Sequence, residues 1–393
     1  FFMKIYLYRY KSICEPDIIN SFKRLGFDVY EETIGITKKE LSISENIQIT
    51  SKKLLSDNYM FVFSINFFPW LSDVCNIMKL PYISLIVDSP VLTLYSNSLQ
   101  NAYNRIFIFD KTLFNEFFKL NPNNIFHIPL ATNVSRTDEL INNSSNSVKQ
   151  QFACDISFIG STYQEKCSYN DINLPDYERG FVQGLIEAQL KIYGYNFIED
   201  VISDDFVNNF IKYTPYSQPF PENYSANYRA IIAQYYLSVK VAEQERLRIL
   251  KMLSDNFNVD IYTGSDTSSM PNIHNKGFAD SLQQMPIIFN QSKINLNITS
   301  KSIRSGLPLR IFDVLGCQGF LITNYQAEIP EIFEIGKDLV TYDSMQDLKD
   351  KCHYYLTHNQ ERIEIAQNGY EKVKKLHTYD VRLTEILKLS FRL

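Results

Sequence analysis

Residues 292–323, SKINLNITSKSIRSGLPLRIFDVLGCQGFLIT, limit the possible folds of this chain more than any other stretch. Ile294, Leu296 and Ile298 alternate with asparagines, the two-residue period of a strand. A polar loop follows to Arg304, and Ser305, Gly306, Leu307 and Pro308 lead into a helix over 309–316. The apolar run Phe320-Leu321-Ile322 closes the unit. Strand, helix and strand at this length predict a parallel βαβ crossover, and in such sheets ligands bind beyond the carboxyl ends of the strands. The helix start offers unpaired N–H groups and a positive dipole end, both suited to a phosphate. Pro308 fits a first turn because its missing N–H has no helical partner there. Arg310 lies in the same turn, where a cation opposes the dipole and a bound anion would offset that cost. Asp313 follows one turn on, within reach of ribose hydroxyls. The plainer alternative is a surface Arg310–Asp313 pair on a buried helix.

At 393 residues the chain predicts two domains, and 45% hydrophobic residues suffice for two cores. A formal net charge of −5 argues against a general nucleic-acid binder. Cys14, Cys75, Cys154, Cys167, Cys317 and Cys352 form no CxxC pair and have no histidine at zinc-finger spacing, so they read as free thiols in a reducing compartment. The first ten residues have no basic start followed by an apolar core, and no run approaches 18 apolar residues. A cytoplasmic chain without a leader or a membrane span is therefore the expectation.

In chain order, strands are predicted over 3–8, 60–65, 82–87, 106–109 and 125–128, alternating with helices such as 16–25 and 70–78. This rhythm is that of a parallel α/β sheet. The polar run 142–147 (NNSSNS) predicts a boundary, with one domain over 1–145 and a second over 150–377. Strand signal is sparse over about 167–255, which predicts a helical insertion. Within it the run 226–253 carries Glu243, Glu245, Arg246 and Arg248 on what reads as a solvated face. The α/β rhythm resumes at 259–262 and runs to helices over 348–356 and 361–376.

No GxxxxGK[ST], GxGxxG after the first strand, GxSxG or HExxH is present, which argues against P-loop, dehydrogenase, hydrolase and zincin chemistry. Several motifs in order carry a resemblance instead. In the C-terminal half they are DISFIGS at 155–161, VDIYTG at 259–264, LPLRIFDVLGCQGF at 307–320, LVTYDS at 339–344 and ERIEIAQNGY at 361–370. In the N-terminal half they are SINFFP at 64–69, IVDSP at 86–90, RIFIFD at 105–110 and IPLA at 128–131. Together they resemble the CgeB-like glycosyltransferases, of glycosyltransferase family 1 type, with the N-terminal domain that often precedes them.

The resemblance implies a GT-B fold, two Rossmann-like domains facing a cleft, with the last helix (within 378–393) returning to the first domain. It implies a nucleoside-diphosphate sugar as donor, no metal or other cofactor, and a retaining outcome. Many retaining relatives carry two glutamates eight positions apart; here those places hold Ser305 and Asp313, and Gln318 stands where a glycine is usual. The implied donor contacts are Gly160 and Ser161 near the diphosphate, Gly264, and Lys276, Gly277 and Phe278 around the base. Ser305, Gly306 and Leu307 lie at the sugar, Arg310 on the phosphates and Asp313 on the ribose. Lys276 and Lys166 are alternative cations. On the acceptor side, Asp88 is the candidate general base, since it follows an apolar strand in what reads as a dry neighbourhood; its plainer role is to cap the turn before Pro90. His127 reads as a core histidine. The acceptor is a surface protein, a polysaccharide or a spore component. The alternatives are a non-catalytic nucleotide-sugar-binding protein and a nucleotide-sugar epimerase of the same fold.

Overall fold

The computed structural model describes residues 3–38, 40–214, 224–225 and 227–393. Ala226, where the long predicted helical run begins, lies outside them. The chain divides into two compact units. Among the described residues, unit 1 holds 3–131, 224–225 and 377–393, and unit 2 holds 132–214 and 227–376.

Unit 1 is built on six parallel strands: β1 (Met3–Tyr8), β2 (Phe27–Glu32), β3 (Val62–Ile65), β4 (Tyr82–Leu85), β5 (Asn104–Ile108) and β6 (Ile125–His127). Their order is β2-β1-β3-β4-β5-β6. Every residue of β3 and β4 is buried, as expected of strands covered by helices on both faces. The two run in register from Val62 beside Tyr82 to Ile65 beside Leu85. Two buried hydroxyls of this core pair with each other: those of Ser64 and Tyr82 lie 2.6 Å apart, and the Tyr82 hydroxyl accepts the Phe68 N–H where the Pro69–Met78 helix begins.

The final helix, Tyr379–Phe391, also belongs to unit 1 and packs on the Glu15–Arg24 helix. Thr378 caps it through the Val381 N–H. Asp380 accepts from Arg24 at 2.6 Å and from the Ser21 hydroxyl, Arg105 Nε donates to the Ser390 carbonyl at 2.9 Å, and Phe391 lies 5.8 Å from Phe61.

Unit 2 holds a second set of six parallel strands: β7 (Cys154–Ile159), β8 (Val259–Tyr262), β9 (His274–Asn275), β10 (Ser292–Asn297), β11 (Leu321–Asn324) and β12 (Val340–Tyr342). Their order is β12-β11-β10-β7-β8-β9. From β7 the chain steps outward through β8 and β9, then returns to the other side of β7 as β10. The junction of β10 and β7 is thus the topological switch point, where crevices for ligands open in sheets of this kind. The predicted 309–316 helix is present as Leu309–Gly316, with Pro308 at its N-cap, and joins β10 to β11.

Two differences from the sequence reading have physical causes. The polar run 142–147 ends one helix, Val134–Asn143, and begins another, Asn146–Gln151, because Asn133 and Ser145 each supply a side-chain N-cap. The change between units falls earlier, at Ala131 and Thr132. The helix-rich span after β7 ends in the Ser238–Ser254 helix, which puts Ile249, Leu250 and Leu253 into the core with Ile156, Val259 and Ile261. Its C-terminal half is the β7–β8 crossover helix, since those three positions share one face.

Candidate donor site of unit 2

The loops beyond β7, β8 and β9 hold one another. Gly160 N–H donates to the Tyr262 carbonyl at 3.2 Å, Thr162 N–H to Ser265 Oγ at 2.9 Å, and Lys276 N–H to the Ile261 carbonyl at 2.8 Å. The structure thereby brings Gly160, Ser161, Gly264 and Lys276 to one end of the sheet. The Ser161 hydroxyl donates to Glu165 at 2.6 Å and accepts the Tyr163 N–H at 2.8 Å. Burial would raise the Glu165 carboxyl, but the bonds from Ser161 and Ser265 outweigh it and hold it below the usual range.

Phe278 is 87% exposed, and its ring lies against Gly264: a Cβ at 264 would come within 2.6 Å of the ring. A side chain at 264 would therefore displace the Phe278 ring from this position. Gly277 has φ +75°, a left-handed conformation that glycine adopts without strain, and it turns Phe278 outward. Lys276 pairs with Asp260 at 3.4 Å, and Lys166 is exposed, so neither alternative cation points to a built anion site.

The Leu309–Gly316 helix carries Arg310 and Asp313, and the plain surface pair expected of them is not formed. Arg310 Nη1 lies 3.4 Å from Met285 Sδ, and its guanidinium sits 5.0 Å from the Phe289 ring centroid, both on the Met285–Gln291 helix. It has no ion pair among the described residues. Burial works against its charge and nearby Asp313 works for it, with a net downward shift. A guanidinium placed on sulfur and aromatic carbon is a cation short of an anion. Asp313 is half-buried and accepts from Thr132 Oγ1 at 2.8 Å. Gly306 and Leu307 are buried, and Ser305 hydrogen-bonds Glu328.

The sequence reading placed Glu243, Glu245 and Arg246 on a solvated face, and the structure corrects it. Arg248 does reach outward, to Glu187 in a half-exposed pair. Glu243 is buried and pairs with Lys240 at 2.9 Å. Glu245 is 2% exposed and faces Lys301 at 3.4 Å, itself 5% exposed, beneath Tyr193. Arg246 donates from Nη1 to the Ser161 carbonyl at 2.5 Å and from Nη2 to the Ile298 carbonyl at 2.6 Å, with its guanidinium 4.3 Å from the Tyr163 ring centroid. Ser161 follows β7 and Ile298 follows β10, so Arg246 bridges the two loops at the switch point. Such charge-assisted bonds fix both loop backbones. The sequence signal that could have flagged it is that 245 and 246 precede the Ile249-Leu250 core face by one turn.

In unit 1, Asp88 is exposed and accepts from Asn66 Nδ2 at 2.6 Å. The expected dry pocket is not there, because β4 ends at Leu85 and the chain reaches solvent before Asp88. Asn66 also donates to the Tyr10 hydroxyl at 2.8 Å and accepts the Val87 N–H at 3.0 Å, which orients the carboxylate. His127 ends β6 with its ring 5.9 Å from that of Phe114.

Two parallel six-stranded sheets, one in each unit, define the GT-B architecture of two Rossmann-like domains. Comparison with known proteins agrees. Residues 245–388 match the family described as glycosyl transferase-like, so the C-terminal half carries a glycosyltransferase-like domain. A stretch of 92 residues is 27% identical to the spore protein CgeB of Bacillus subtilis, covering 23% of this chain and about a quarter of CgeB (26%). The whole fold is similar to a glycosyltransferase from Rickettsia africae, with TM-score 0.55 and 12% identity over 99% of this chain and 98% of that one. It is equally similar to Anabaena HepE in complex with UDP and glucose, with TM-score 0.55 and 11% identity over all of both chains. Sucrose-phosphate synthase of Thermosynechococcus elongatus gives TM-score 0.55 at 9% identity over 99% of each chain.

Proposed function

We infer that this chain is a glycosyltransferase that takes a sugar from a nucleoside diphosphate and passes it to an acceptor hydroxyl. The observation that carries this reading is the convergence of loops at the switch point of unit 2. Arg246 sets its two loops, the first turn of the Leu309–Gly316 helix adjoins it with Arg310, and Phe278 stands beside Gly264. The glycosyl transferase-like match over 245–388 and the UDP and glucose bound by HepE support the same assignment.

In this mechanism the bond between the anomeric carbon and the diphosphate oxygen breaks as the acceptor oxygen bonds to that carbon. Charge grows on the leaving diphosphate, and helix N–H groups with Arg310 stabilise it without a metal. Asp313 holds the ribose, and Phe278 offers a flat apolar surface to the base. The reading includes a retaining outcome. Asp88, oriented by Asn66, is the candidate carboxylate for the acceptor proton. The acceptor is a protein or glycan, with a spore component suggested by CgeB.

The test is incubation with a panel of uridine, guanosine, adenosine and thymidine diphosphate sugars in the absence of acceptor, with and without EDTA. Slow release of nucleoside diphosphate, unchanged by the chelator, is expected. No binding and no release with any donor would overturn the assignment, and sugar conversion without release would point to an epimerase.

A further inference from the structure

Unit 1 has a topological switch point of its own. From β1 the chain steps out to β2 and returns on the other side of β1 as β3. Sheets of this kind take ligands at such a junction, beyond the carboxyl ends of the strands. Aromatic rings gather there: Tyr8 ends β1 and Tyr10 follows it, while Phe68 and Trp70 follow β3. The Phe68 ring centroid lies 5.0 Å from that of Tyr8 and 5.4 Å from that of Tyr10, and the Trp70 centroid lies 5.3 Å from that of Tyr8. Tyr8 is buried, whereas Tyr10, Phe68 and Trp70 are half-buried and keep part of their surface in solvent. The group is held in place. Glu15, 1% exposed, accepts the N–H groups of Tyr10 at 2.8 Å and Ser12 at 3.0 Å, which fixes the loop after β1. Asn66 adopts φ +56°, a left-handed conformation that asparagine tolerates. Its Nδ2 donates to the Tyr10 hydroxyl at 2.8 Å and to Asp88 at 2.6 Å, so one side chain ties the rings to an exposed carboxylate.

We propose that these residues form an acceptor subsite for a glycan, with the apolar face of a pyranose ring laid on Phe68 and Trp70 and one of its hydroxyls donating to Asp88. This rests on the transferase reading above and narrows its acceptor from a protein or glycan to a glycan. A pyranose carries C–H groups on its faces and hydroxyls around its rim, which suits aromatic carbon set beside a hydrogen-bond acceptor. A carboxylate has about four acceptor sites, and the bond from Asn66 occupies one. The same carboxylate repels a phosphate, and Arg9 of this loop is paired with Glu15 and Glu31, so a phosphorylated ligand is disfavoured. A peptide hydroxyl would use Asp88 but has no ring to lay on the aromatic group. The subsite lies wholly within unit 1.

Trp70 is the one tryptophan of the chain, so its emission reports on this subsite alone. The test is titration of the whole protein with oligosaccharides of glucose, galactose, mannose and N-acetylglucosamine, and with serine- and threonine-containing peptides. Tryptophan emission and its quenching by acrylamide are followed. At least one oligosaccharide should change the emission saturably and shield Trp70 from the quencher. Asp88→Asn and Phe68→Ala should each weaken that oligosaccharide about tenfold, the scale of one charge-assisted hydrogen bond or one aromatic contact. Trp70→Phe, followed by calorimetry, should keep more of the affinity than Trp70→Ala, because a flat ring remains. A response to peptides alone, no response to any oligosaccharide, or an unchanged affinity in Asp88→Asn would overturn the proposal. Should Phe68→Ala fold poorly, as read by thermal melting, the exposed substitution Asp88→Asn decides by the same titration. Glycan binding by a protein that turns over no donor would overturn the transferase reading and leave the glycan site standing. Donor turnover with no glycan bound would overturn the glycan site alone.

Discussion

At the scale of single residues, the proposed site holds cations where carbonyls or aromatic carbon surround them. Arg246 holds two carbonyls, one after each of the two strands that meet at the switch point. Arg246→Ala should raise the donor KM at least about tenfold, since two charge-assisted bonds to loop backbone are lost. Arg246→Lys should recover little, because a point ammonium cannot span both carbonyls as a planar fork does. Steady-state kinetics on the two variants check this. Arg310→Ala should instead lower kcat, by about 10²-fold, since diphosphate charge grows in the transition state. On the proposed ribose role, Asp313→Ala should mainly raise the donor KM, since such a contact changes little during reaction. If Arg310→Ala changes only KM, its assigned role is wrong. Gly264→Ala should push the Phe278 ring from its place; weaker nucleotide binding with an unchanged melting temperature is the expected result.

Among the elements, the Tyr379–Phe391 helix offers a pH-dependent contact. Burial raises the Asp380 carboxyl, but Arg24 and the Ser21 hydroxyl outweigh it and hold it below the ordinary carboxylate range. A carboxylate with a depressed folded-state value stabilises docking above its unfolded value and loses that contribution as pH falls through the folded value. The protection of this helix's amides, taken as the exchange rate relative to an unfolded peptide at the same pH, should therefore fall as pH drops through and below the usual carboxylate range. In Asp380→Asn the exchange should already be faster at neutral pH, with a flatter acid profile. The pair with Arg24 is about 40% exposed on each side, so the effect is small and salt-sensitive. A wild type and variant with the same acid profile would remove Asp380 from the account.

For the whole molecule, the chain order and the spatial order differ. The last seventeen residues, 377–393, close the first unit, although the chain has by then passed through the second. Deleting 377–393 should uncover Phe61 and leave Arg105 without the Ser390 carbonyl. Burial of one Phe-sized side chain is worth about 1.5–3 kcal/mol, so the deletion should lower the first melting transition clearly. A calorimetric trace unchanged by the deletion would show that the helix contributes nothing to unit 1. Among the described residues no helix is long and apolar enough to cross a membrane.

The amino-acid sequence by itself determined the α/β alternation of both halves and the whole strand–helix–strand unit at 292–323. Those patterns are local: alternation within a strand, an apolar stripe on a helix and a glycine turn are written within ten residues or so. It also marked the glycine turns at 160, 264 and 277, because close approach and left-handed φ leave a residue-type signature. Only the tertiary structure decided that Arg246 and Glu245 face inward, that Asp88 is wet, and that Ser305 has Glu328 beside it. Arg246 meets Ser161 across 85 positions, and Asp313 meets Thr132 across 181. A charged residue on a helix reads as solvated unless the surface opposite is known. That surface exists only once distant strands have taken their places in the sheet, which is why the fold was legible from the sequence and the charge network of the site was not.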